Sequence, residues 1–498
     1  MTDGDTDTGE KRRPESRAGR LRRRLHDIDP ARFGVLGVLS LPGYLVESLA
    51  FMRMFALFFL LFFWVLLEPL VDLALKRSAD ADTEPTDWIR LGDWRELVVA
   101  YLMIPVTFLN PLALVQDLLQ MLGSGVAYVR HRGSVPVAGD DQQASYRLPV
   151  EGTWTVVNGS LEREYSHSWL PMNQRYAYDF VVTDEDGRSR PEGTGPAVGA
   201  YHCYDEPVLA PADGVVVDVL DTEFEPSRGG GFSHPLKRDI RGNYVTIQHA
   251  PDEYSCLAHL VPGSVAVEPG ECVKRGQSIG RCGHSGNSSE PHLHFQVQDH
   301  PTFEMAAGVP VRFENATVES PWLEDDDHRP AVTEDEAEST AITAGQRVTA
   351  VGSADRKRDS DDQPLSIPGR ETVATLERLA FGGIVGGLLA FVAGIVVGPG
   401  ETALVLAAAA LVGVGFWLVA GRWNRARRPG GVGTSLGIAL VAALWAGFPA
   451  VRSPTPFVLV GVALYVLVAE YDRVRLRRAY GSRKRPQSES EGERRAGT

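Results

Sequence analysis

Long apolar runs lie towards both ends of the chain and are separated by a polar middle. In the N-terminal part, the run at 54–75 is long enough to cross about 30 Å of hydrocarbon at roughly 1.5 Å per residue. A weaker run at 96–119 is interrupted by two prolines, and a short one at 33–49 is interpreted as interfacial or re-entrant. These runs predict a membrane region at 33–122 with about two transmembrane helices.

Four cleaner apolar segments follow near the C-terminus, at about 379–398, 402–420, 434–451 and 455–470. They are rich in Gly, Ala and Val, which lets helices pack closely in lipid. We therefore predict four transmembrane helices over 379–470, and a multi-pass membrane protein that contacts membrane lipid. Buried helices of a soluble protein are the alternative interpretation.

Between the two apolar regions, residues 145–320 alternate apolar and polar positions in short segments with a turn about every ten residues. The predicted strands lie at 153–157, 177–182, 214–219, 244–249, 264–267 and 292–297. No amphipathic helix of useful length interrupts this pattern in the sequence. The fold class predicted is an all-β antiparallel domain embedded between α-helical transmembrane segments.

Three polar segments complete the chain. Residues 1–32 are predicted to be a basic, disordered N-terminal tail without a cleavable signal peptide. Residues 323–371 are acidic and lack a hydrophobic period, which predicts a disordered linker, and residues 471–498 are predicted to be a basic, disordered C-terminal tail.

The distribution of charged residues limits the class of binding partner and bears on the orientation of the chain in the membrane. The chain has 64 acidic and 50 basic residues and a formal charge of -14, which does not favour a nucleic-acid partner. Basic clusters lie in the N-terminal tail, at 422–428 and at 473–485. Basic clusters are retained on the cytoplasmic side of a membrane. With two N-terminal and four C-terminal transmembrane helices, all three clusters lie on that side only when the β domain between them is cytoplasmic as well. The oligomeric state is not indicated.

Cysteines and glycosylation sequons are weak indications that the β domain lies on the non-cytoplasmic side of the membrane. The four cysteines all fall in the β domain, at Cys203, Cys256, Cys272 and Cys282. They fit two disulfides in an oxidising space, and they fit buried free thiols equally well. N-x-S/T sequons occur at Asn158, Asn287 and Asn315. The face of the membrane that carries the domain therefore stays open.

The segment EPHLHF, which contains His292 and His294, carries the strongest chemical signal. Residues i and i+2 of a strand share a face, so the two imidazoles project side by side. His259 ends an apolar run, Asp179 lies in an alternating segment, and 283–289 is a loop of small residues suited to close approach. Imidazoles and a carboxylate match a catalytic zinc, which needs three protein ligands and an open position for water.

In this order the motifs resemble the lysostaphin-type zinc metallopeptidases, a family of murein endopeptidases. The match covers 145–320 and is carried by VLAPADGVVVDV, GNYVTIQHA, YSCLAHL, PGECVKRGQSIG, SGNSSEPHLHF and GVPVRFENATV. The resemblance implies an open antiparallel sheet with a duplicated hybrid-barrel motif. It also implies a zinc-dependent endopeptidase, here membrane-anchored, with Zn²⁺ as cofactor and a peptide or cell-envelope substrate such as the peptide bridges of a cell wall.

The resemblance further implies roles for single residues. Asp179 and His294 correspond to zinc ligands, and His292 and His259 correspond to the catalytic groups that flank the zinc-bound water. The family's first ligand is a histidine four residues before the aspartate, where this chain has Arg175, which stays protonated and cannot bind a metal. We predict that His167, in the upstream Ser-His-Ser-Trp segment, replaces it.

Arg175, His284 and Asn287 are predicted to contact the substrate. If His167 is not a ligand, the alternative function is a catalytically inactive peptidase-like domain that binds peptide or glycan, or that regulates another membrane protein. A carrier module is disfavoured because Lys274 is the only lysine near a suitable turn. The four retained site residues, Asp179, His259, His292 and His294, favour the enzyme.

Overall fold

A computed structural model of the protein describes residues 30–40, 42–43, 47–63, 94–134, 136–137, 142–166, 168–314, 316–320, 339–351, 369–423 and 432–496. The chain divides into two units, Met1–Thr83 and Glu84–Thr498. In the first unit the 3-10 helices Pro30–Ser40 and Glu47–Phe63 pack against each other. Most of the predicted N-terminal tail and the part of the predicted span at 54–75 that follows residue 63 lie outside the described residues.

Six α-helices lie in the described part of the second unit: α1 Trp94–Leu109, α2 Pro111–Arg130, α3 Arg370–Val396, α4 Thr402–Trp423, α5 Gly433–Gly447 and α6 Pro454–Ala496. By length and composition, α2, α3 and the Thr402–Val419 part of α4 are long and apolar enough to cross a membrane. Two shorter apolar helices accompany them, in α1 and α5. The apolar segments predicted at 402–420 and 455–470 lie within α4 and α6, whereas those predicted at 379–398 and 434–451 extend past the ends of α3 and α5.

The apolar run at 96–119 forms two helices, not one. Asn110 separates them, because its side-chain oxygen accepts hydrogen bonds from the backbone N–H groups of Leu112 and Ala113 at 3.0 and 3.3 Å. This is the geometry of a helix N-cap, and Pro111 at the first helical position loses no hydrogen bond by lacking an N–H. The second helix therefore starts at Pro111 and continues to Arg130.

Twelve strands are described: β1 Thr153–Asn158, β2 Tyr178–Val181, β3 Pro207–Leu209, β4 Gly214–Leu220, β5 Asn243–Ala250, β6 Glu253–Leu260, β7 Cys272–Val273, β8 Ser278–Arg281, β9 Leu293–Gln298, β10 Gly308–Val309, β11 Ala316–Glu319 and β12 Arg347–Ala350. Ten of them form one antiparallel sheet in the order β11-β12-β1-β2-β9-β6-β5-β4-β7, with β10 on β9, and β3 pairs with β8. The predicted antiparallel domain is confirmed, whereas its hybrid-barrel part stays a prediction.

The predicted strand at 264–267 is wrong. One of its backbone N–H groups, that of Val265, donates to Asp221 Oδ1 at 3.4 Å, and the N–H of the preceding Gly263 donates to the same oxygen at 2.8 Å. Only an isolated backbone bond, from Ala266 to Ile279 at 3.0 Å, links the segment to β8. An alternating pattern of four residues is too short to outweigh such a local competitor.

Part of the predicted disordered linker is ordered. Strand β12 lies inside 323–371, yet it pairs with both β1 and β11, and Val348 at its centre is fully buried. The linker prediction is therefore wrong for residues 339–351. The β-branched Val348 suits a strand, but its charged surroundings in the sequence conceal so short an element.

The C-terminal tail predicted at 471–498 is also wrong, because α6 continues to Ala496. Leu476 packs in a buried cluster with Val217 and Tyr254 of the sheet domain. Two arginines of α6, Arg473 and Arg477, lie 3.1 and 2.9 Å from the Asp252 carboxylate. Contacts with the domain thus explain why this basic segment is helical.

Arg130, the last residue of α2, connects three parts of the structure. Its guanidinium lies 2.7 Å from Asp299 in the loop after β9 and 2.9 Å from Glu470 of α6. It also donates to the backbone oxygen of Met305 at 3.1 Å. For a pair as buried as Arg130 and Asp299, removal of one partner leaves an unpaired buried charge and strongly destabilises the fold.

The sheet domain is buried on both faces at its centre. Every residue of β5, β6 and β9 is buried, because the main apolar core covers one face and α2 covers the other. Ala113 of α2 packs with Tyr244, Ala258 and Phe303 in a second cluster. Strands β6 and β9, which carry the predicted histidines, are therefore held rigidly at the centre of the sheet.

Candidate metal centre

Adjacent strands bring the predicted site residues together. In the sheet β2 lies beside β9, and Asp179 is directly opposite His294. On the other side of β9, His294 is opposite Ala258, the residue before His259. Because His292 immediately precedes β9, residues more than a hundred positions apart meet in one place.

The distances define a compact cluster. Nδ1 of His294 is 2.8 Å from Asp179 Oδ1, and Nε2 of His292 is 3.7 Å from the same oxygen. The ring centroid of His259 lies 4.7 Å from that of His292 and 5.8 Å from that of His294. The four predicted residues, Asp179, His259, His292 and His294, therefore share one site.

Hydrogen bonds outside the cluster fix the orientation of each imidazole. His294 uses Nε2 towards Gln296 Oε1 at 3.0 Å, which leaves Nδ1 on the side of Asp179. His259 and His292 do the opposite: their Nδ1–H groups donate to the carbonyl oxygens of Ser285 and Glu290, each at 2.8 Å. A carbonyl acceptor at Nδ1 fixes the tautomer that has its lone pair on Nε2.

Burial and charge shift the pKa values of two imidazoles in opposite directions. Burial, assisted by the neighbouring His292 and His294, holds the pKa of His259 well below its usual range. Burial also acts to lower the pKa of His294, but its hydrogen bond to Asp179 and the charge of that group outweigh the burial, and the pKa is raised. His259 is thus neutral at pH 7, whereas the pKa of His294 is set mainly by the carboxylate of Asp179.

His259 also has an unusual backbone. Its φ of 64° lies in the left-handed region, which costs a residue with a side chain on the order of 1 kcal/mol. Its N–H donates to the backbone oxygen of Arg241 at 2.9 Å, which holds this conformation. The strained backbone turns the imidazole out of the alternation of β6 and into the site.

Asn158 is a site residue that the sequence analysis missed. It lies opposite Asp179 in the sheet, and its Nδ2 donates to Asp179 Oδ2 at 3.1 Å. A second acceptor of that amide is Ser168 Oγ at 3.0 Å. Asn158 is almost completely buried, so this sequon is a structural element of the site rather than a glycan acceptor.

Two buried glutamines of α2 were missed as well. Gln120 Oε1 accepts from Asn173 Nδ2 at 3.1 Å and from Gln174 Nε2 at 2.6 Å, just before strand β2. Gln116 Oε1 accepts the backbone N–H of Ile240 at 3.1 Å. One face of this apolar helix is therefore polar and belongs to the site region.

A small cavity of about 60 Å³ opens at the cluster and is lined by Gln174, Ile240, Arg241, Ala258, His259, Asn287, His294 and Phe303. Of the predicted substrate contacts, Asn287 is exposed and lines this cavity. Arg175 does not line it, since its guanidinium lies 5.3 Å from the ring centroid of Trp169.

The predicted substrate contact of His284 is contradicted. The residue is fully buried, and its ring nitrogens are engaged by Ser288 Oγ at 2.9 Å and by the backbone oxygen of Phe232 at 2.9 Å. Burial lowers the pKa of His284 to about 4, so it is neutral at pH 7. It supports the loop that precedes the EPHLHF segment instead of touching a ligand.

That loop explains the run of small residues. A Cβ atom on Gly286 would lie 2.2 Å from the backbone nitrogen of Gly242, and Gly286 has a φ of 80°. Only glycine fits both the contact and the conformation, as the sequence analysis expected for close backbone approach. All four cysteines are buried thiols that form no disulfide, and Cys203 Sγ donates to the carbonyl of Pro291 at 3.1 Å, beside this loop.

The donor chemistry of the cluster fits a zinc ion in part. Asp179 and His294 offer a carboxylate and an imidazole, each oriented by a further partner, as metal ligands usually are. Within the described residues no group of three or more His, Cys, Asp and Glu side chains is arranged to hold a metal. His167 lies outside the described residues, so its role as third ligand stays a prediction.

Comparisons with known proteins bear on the sheet domain. Residues 198–305 match Peptidase family M23, a range that includes His259, His292 and His294 and begins after Asp179. The chain is 30% identical over 176 residues to peptidoglycan DD-endopeptidase ShyA of Vibrio cholerae, covering 34% of this chain and 31% of that protein. It is 36% identical over 77 residues to peptidoglycan DD-endopeptidase ShyB of the same species, covering 15% and 18%.

The chain thus spans less than a third of either relative. Among solved structures, a zinc containing peptidase from Vibrio cholerae is 26% identical, covering 34% of this chain and 41% of the other, with a TM-score of 0.21. The family match at 198–305 and the two endopeptidase relatives agree with the motifs that carried the lysostaphin-type resemblance. Residues 198–305 accordingly form a peptidase family M23 domain.

Proposed function

We propose that this protein is a membrane-anchored, zinc-dependent endopeptidase. The observation that carries the proposal is the convergence of Asp179, His259, His292 and His294 at one cavity in the peptidase domain. The relatives named peptidoglycan DD-endopeptidases support peptide bridges of a cell wall as the substrate class. Helices α2, α3 and α4 support the membrane anchor.

In this proposal Asp179 and His294 hold the metal, together with His167. A bound zinc ion supplies a Lewis acid and lowers the pKa of water to about 7. The remaining chemistry belongs to side chains. His259 is neutral at pH 7 with its lone pair on Nε2, so it accepts the proton of the attacking water.

His292 has the same orientation and stands beside His259. With a proton on Nε2, it is suited to stabilise the negative charge that develops on the substrate carbonyl oxygen, while His259 returns the proton it took from water to the leaving amine. Gln174 and the exposed Asn287 line the cavity and offer amide groups to the peptide backbone of a substrate. The second candidate function, an inactive binding domain, is favoured by the absence of a third ligand among the described residues.

Contacts of α6 support a cytoplasmic position of the domain. Arg473 and Arg477 begin the basic cluster of the C-terminus, and both contact Asp252 of the domain. The domain consequently lies at the end of α6 that carries the basic residues, which is the cytoplasmic end by the distribution of positive charge. A domain on that side would act on peptides or proteins at the inner membrane surface, and a domain on the opposite side would act on the cell wall.

The test uses the full chain purified in detergent. Zinc content is measured by mass spectrometry, and cleavage is measured on cross-linked muropeptides and on a quenched peptide library. We expect about one zinc ion per chain and hydrolysis that is lost in His294→Ala and kept in His234→Ala, since His234 stacks on Phe224 and does not line the site cavity. Zinc binding without any hydrolysis would favour the inactive domain, and no zinc in the wild type would reject the enzyme.

A further inference from the structure

A second, larger cavity lies away from the metal centre. It has a volume of about 500 Å³ and is enclosed by the sheet domain on one side and by α3, α4 and α5 on the other. Its wall is mainly apolar, with Phe381, Val385 and Leu389 from α3 and Phe416 from α4. Volumes of 300–1,000 Å³ are typical of sites for small molecules.

The cavity extends along the helices rather than across them. Arg378, Phe381, Val385 and Leu389 follow one another on the same side of α3, and all four line it. Arg378 and Leu389 are eleven residues apart, which corresponds to roughly 16 Å of helix. That is about half of the ~30 Å hydrocarbon core, the depth of one leaflet of a bilayer.

Two arginines lie at the end of the cavity nearest the sheet domain. Arg238 is fixed there: its guanidinium is 4.3 Å from the ring centroid of Phe416, and its Nε is 3.5 Å from Glu223 Oε1. Arg378 stands at the start of the apolar part of α3, and it forms no ion pair or hydrogen bond with another described residue. Within the described residues, one of the two guanidinium groups at this end therefore has no direct counter-ion.

We propose that this cavity binds one anionic phospholipid of the bilayer. One of its acyl chains lies along α3 and faces α4 and α5, and the headgroup phosphate lies between Arg238 and Arg378. Guanidinium groups bind phosphate oxygens with charge-assisted, bidentate hydrogen bonds, and basic pockets between membrane helices bind anionic headgroups. A single bound lipid would join the peptidase domain to the helix bundle. The inference rests on the proposed membrane anchoring and is independent of peptidase activity.

The experiment measures lipid retention by the full chain in native mass spectrometry. Phosphatidylglycerol and phosphatidylcholine with identical acyl chains are added to the detergent-solubilised protein. We expect one retained phosphatidylglycerol per chain and weaker retention of phosphatidylcholine, by about fivefold for each arginine engaged. Arg378→Gln is expected to remove most of this preference.

A matched pair of variants on α4 tests the location. Ala409 lines the cavity and Ala408 is exposed on the same helix. Ala409→Phe should abolish retention of the lipid, and Ala408→Phe should leave it unchanged. Equal retention of the two lipids by the wild type, or equal behaviour of the two variants, would overturn the proposal.

A fluorescence measurement on the wild-type protein tests the same site without relying on cavity variants that could fail to fold. Trp417 lines the cavity, and the difference between wild type and Trp417→Phe isolates its fluorescence from that of the other tryptophans. In vesicles, phosphatidylglycerol with brominated acyl chains should quench this signal more than brominated phosphatidylcholine at the same mole fraction. Equal quenching would reject the site, whereas extraction of the protein from membranes by alkaline carbonate would reject the anchor itself.

Discussion

His294 and Asp179 face each other across strands β9 and β2, with Nδ1 and Oδ1 only 2.8 Å apart. Both side chains are largely withdrawn from water, and each has a second partner that prevents it from turning away: Gln296 for the imidazole and Asn158 for the carboxylate. The register of the sheet therefore holds two potential metal ligands in place before any metal binds, and substitutions at either residue test this arrangement.

Removal of charge from Asp179 should impair metal binding more than folding. Asp179→Asn keeps the size and the hydrogen-bonding capacity of the side chain but loses the anionic oxygen. We expect zinc affinity to fall at least about 100-fold, because changes even outside the ligand shell cost 10- to 100-fold. Competition with a chelator measures the affinity, and thermal unfolding without metal serves as the control. Unchanged affinity would remove Asp179 from the ligand set.

Substitution of His259 should separate catalysis from metal binding. His259→Gln is expected to lower kcat by about 10²- to 10⁴-fold, the usual contribution of a general base, while the zinc content stays that of the wild type. His249→Asn is the matched control, because His249 is buried and bonded outside the cavity. It should lower the Tm and leave kcat per folded molecule unchanged. Loss of zinc in His259→Gln would assign that residue to the metal instead.

Because Gln120 of α2 accepts hydrogen bonds from Asn173 and Gln174 next to the site, we expect substitution of Gln120 to change both stability and peptidase activity. Gln120→Ala leaves the amides of Asn173 and Gln174 without their acceptor, which should cost about 1–3 kcal/mol of unfolding free energy and lower kcat/KM. Gln120→Glu keeps the acceptor and should restore most of both quantities. Leu118→Ala, at an exposed position of the same helix, is the control. Equal effects of the two alanine variants would contradict a specific contact.

Acid should destabilise the domain through His249. The imidazole is buried between Asp213 O and Ser255 Oγ, and burial lowers its pKa to about 4. Between pH 6.5 and 4, His249 is protonated in the unfolded chain but stays neutral in the folded chain. The stability contributed by neutral His249 is therefore fully present above pH 6.5 and is lost as the pH falls towards 4.

From pH 7 to pH 5 this amounts to about 2 kcal/mol for the one group. Urea unfolding of the full chain in detergent at the two pH values measures the loss. His249→Gln lacks the titrating group, so its loss of stability should be smaller by that amount. An identical loss in wild type and variant would show that other groups control the acid sensitivity.

The orientation is testable because the native cysteines are buried. Asp186→Cys places a thiol on the exposed surface of the domain, and Gly400→Cys places one between α3 and α4, at the other end of the bundle. With a membrane-impermeant maleimide, we expect intact cells to label Gly400→Cys only, and permeabilised cells to label both. Labelling of Asp186→Cys in intact cells would place the domain outside, facing the cell wall.

The sequence was sufficient for the parts of the site that depend on short periods. His292 and His294 were found because residues i and i+2 of a strand share a face, and the same alternation continues to Gln296, the partner of His294. Asn158 and Gln120 were not found, because each meets the site only through long-range packing. Gln120 in particular lies in an apolar run that suggests lipid on all sides, although its amide faces a protein interior.

The same distinction explains the errors in the fold. Strand β12 is four residues long, and its partner β1 lies almost two hundred positions earlier, so its pairing has no local signal. The C-terminal part of α6 is predicted from composition alone to be disordered, but Leu476 finds an apolar pocket on the sheet domain. Local composition therefore fails where tertiary contacts provide the missing stability.

The position of Arg130 has a practical consequence for work on this protein. Its guanidinium is the shared counter-ion of Asp299 in the peptidase domain and Glu470 in the last helix. An excised sheet domain would retain a buried carboxylate without its cation, and it would lack the helix that packs beside the candidate metal centre. Truncation to the sheet domain would therefore change the surroundings of the candidate metal centre, and the smallest unit that represents the native site is the chain with its apolar helices attached.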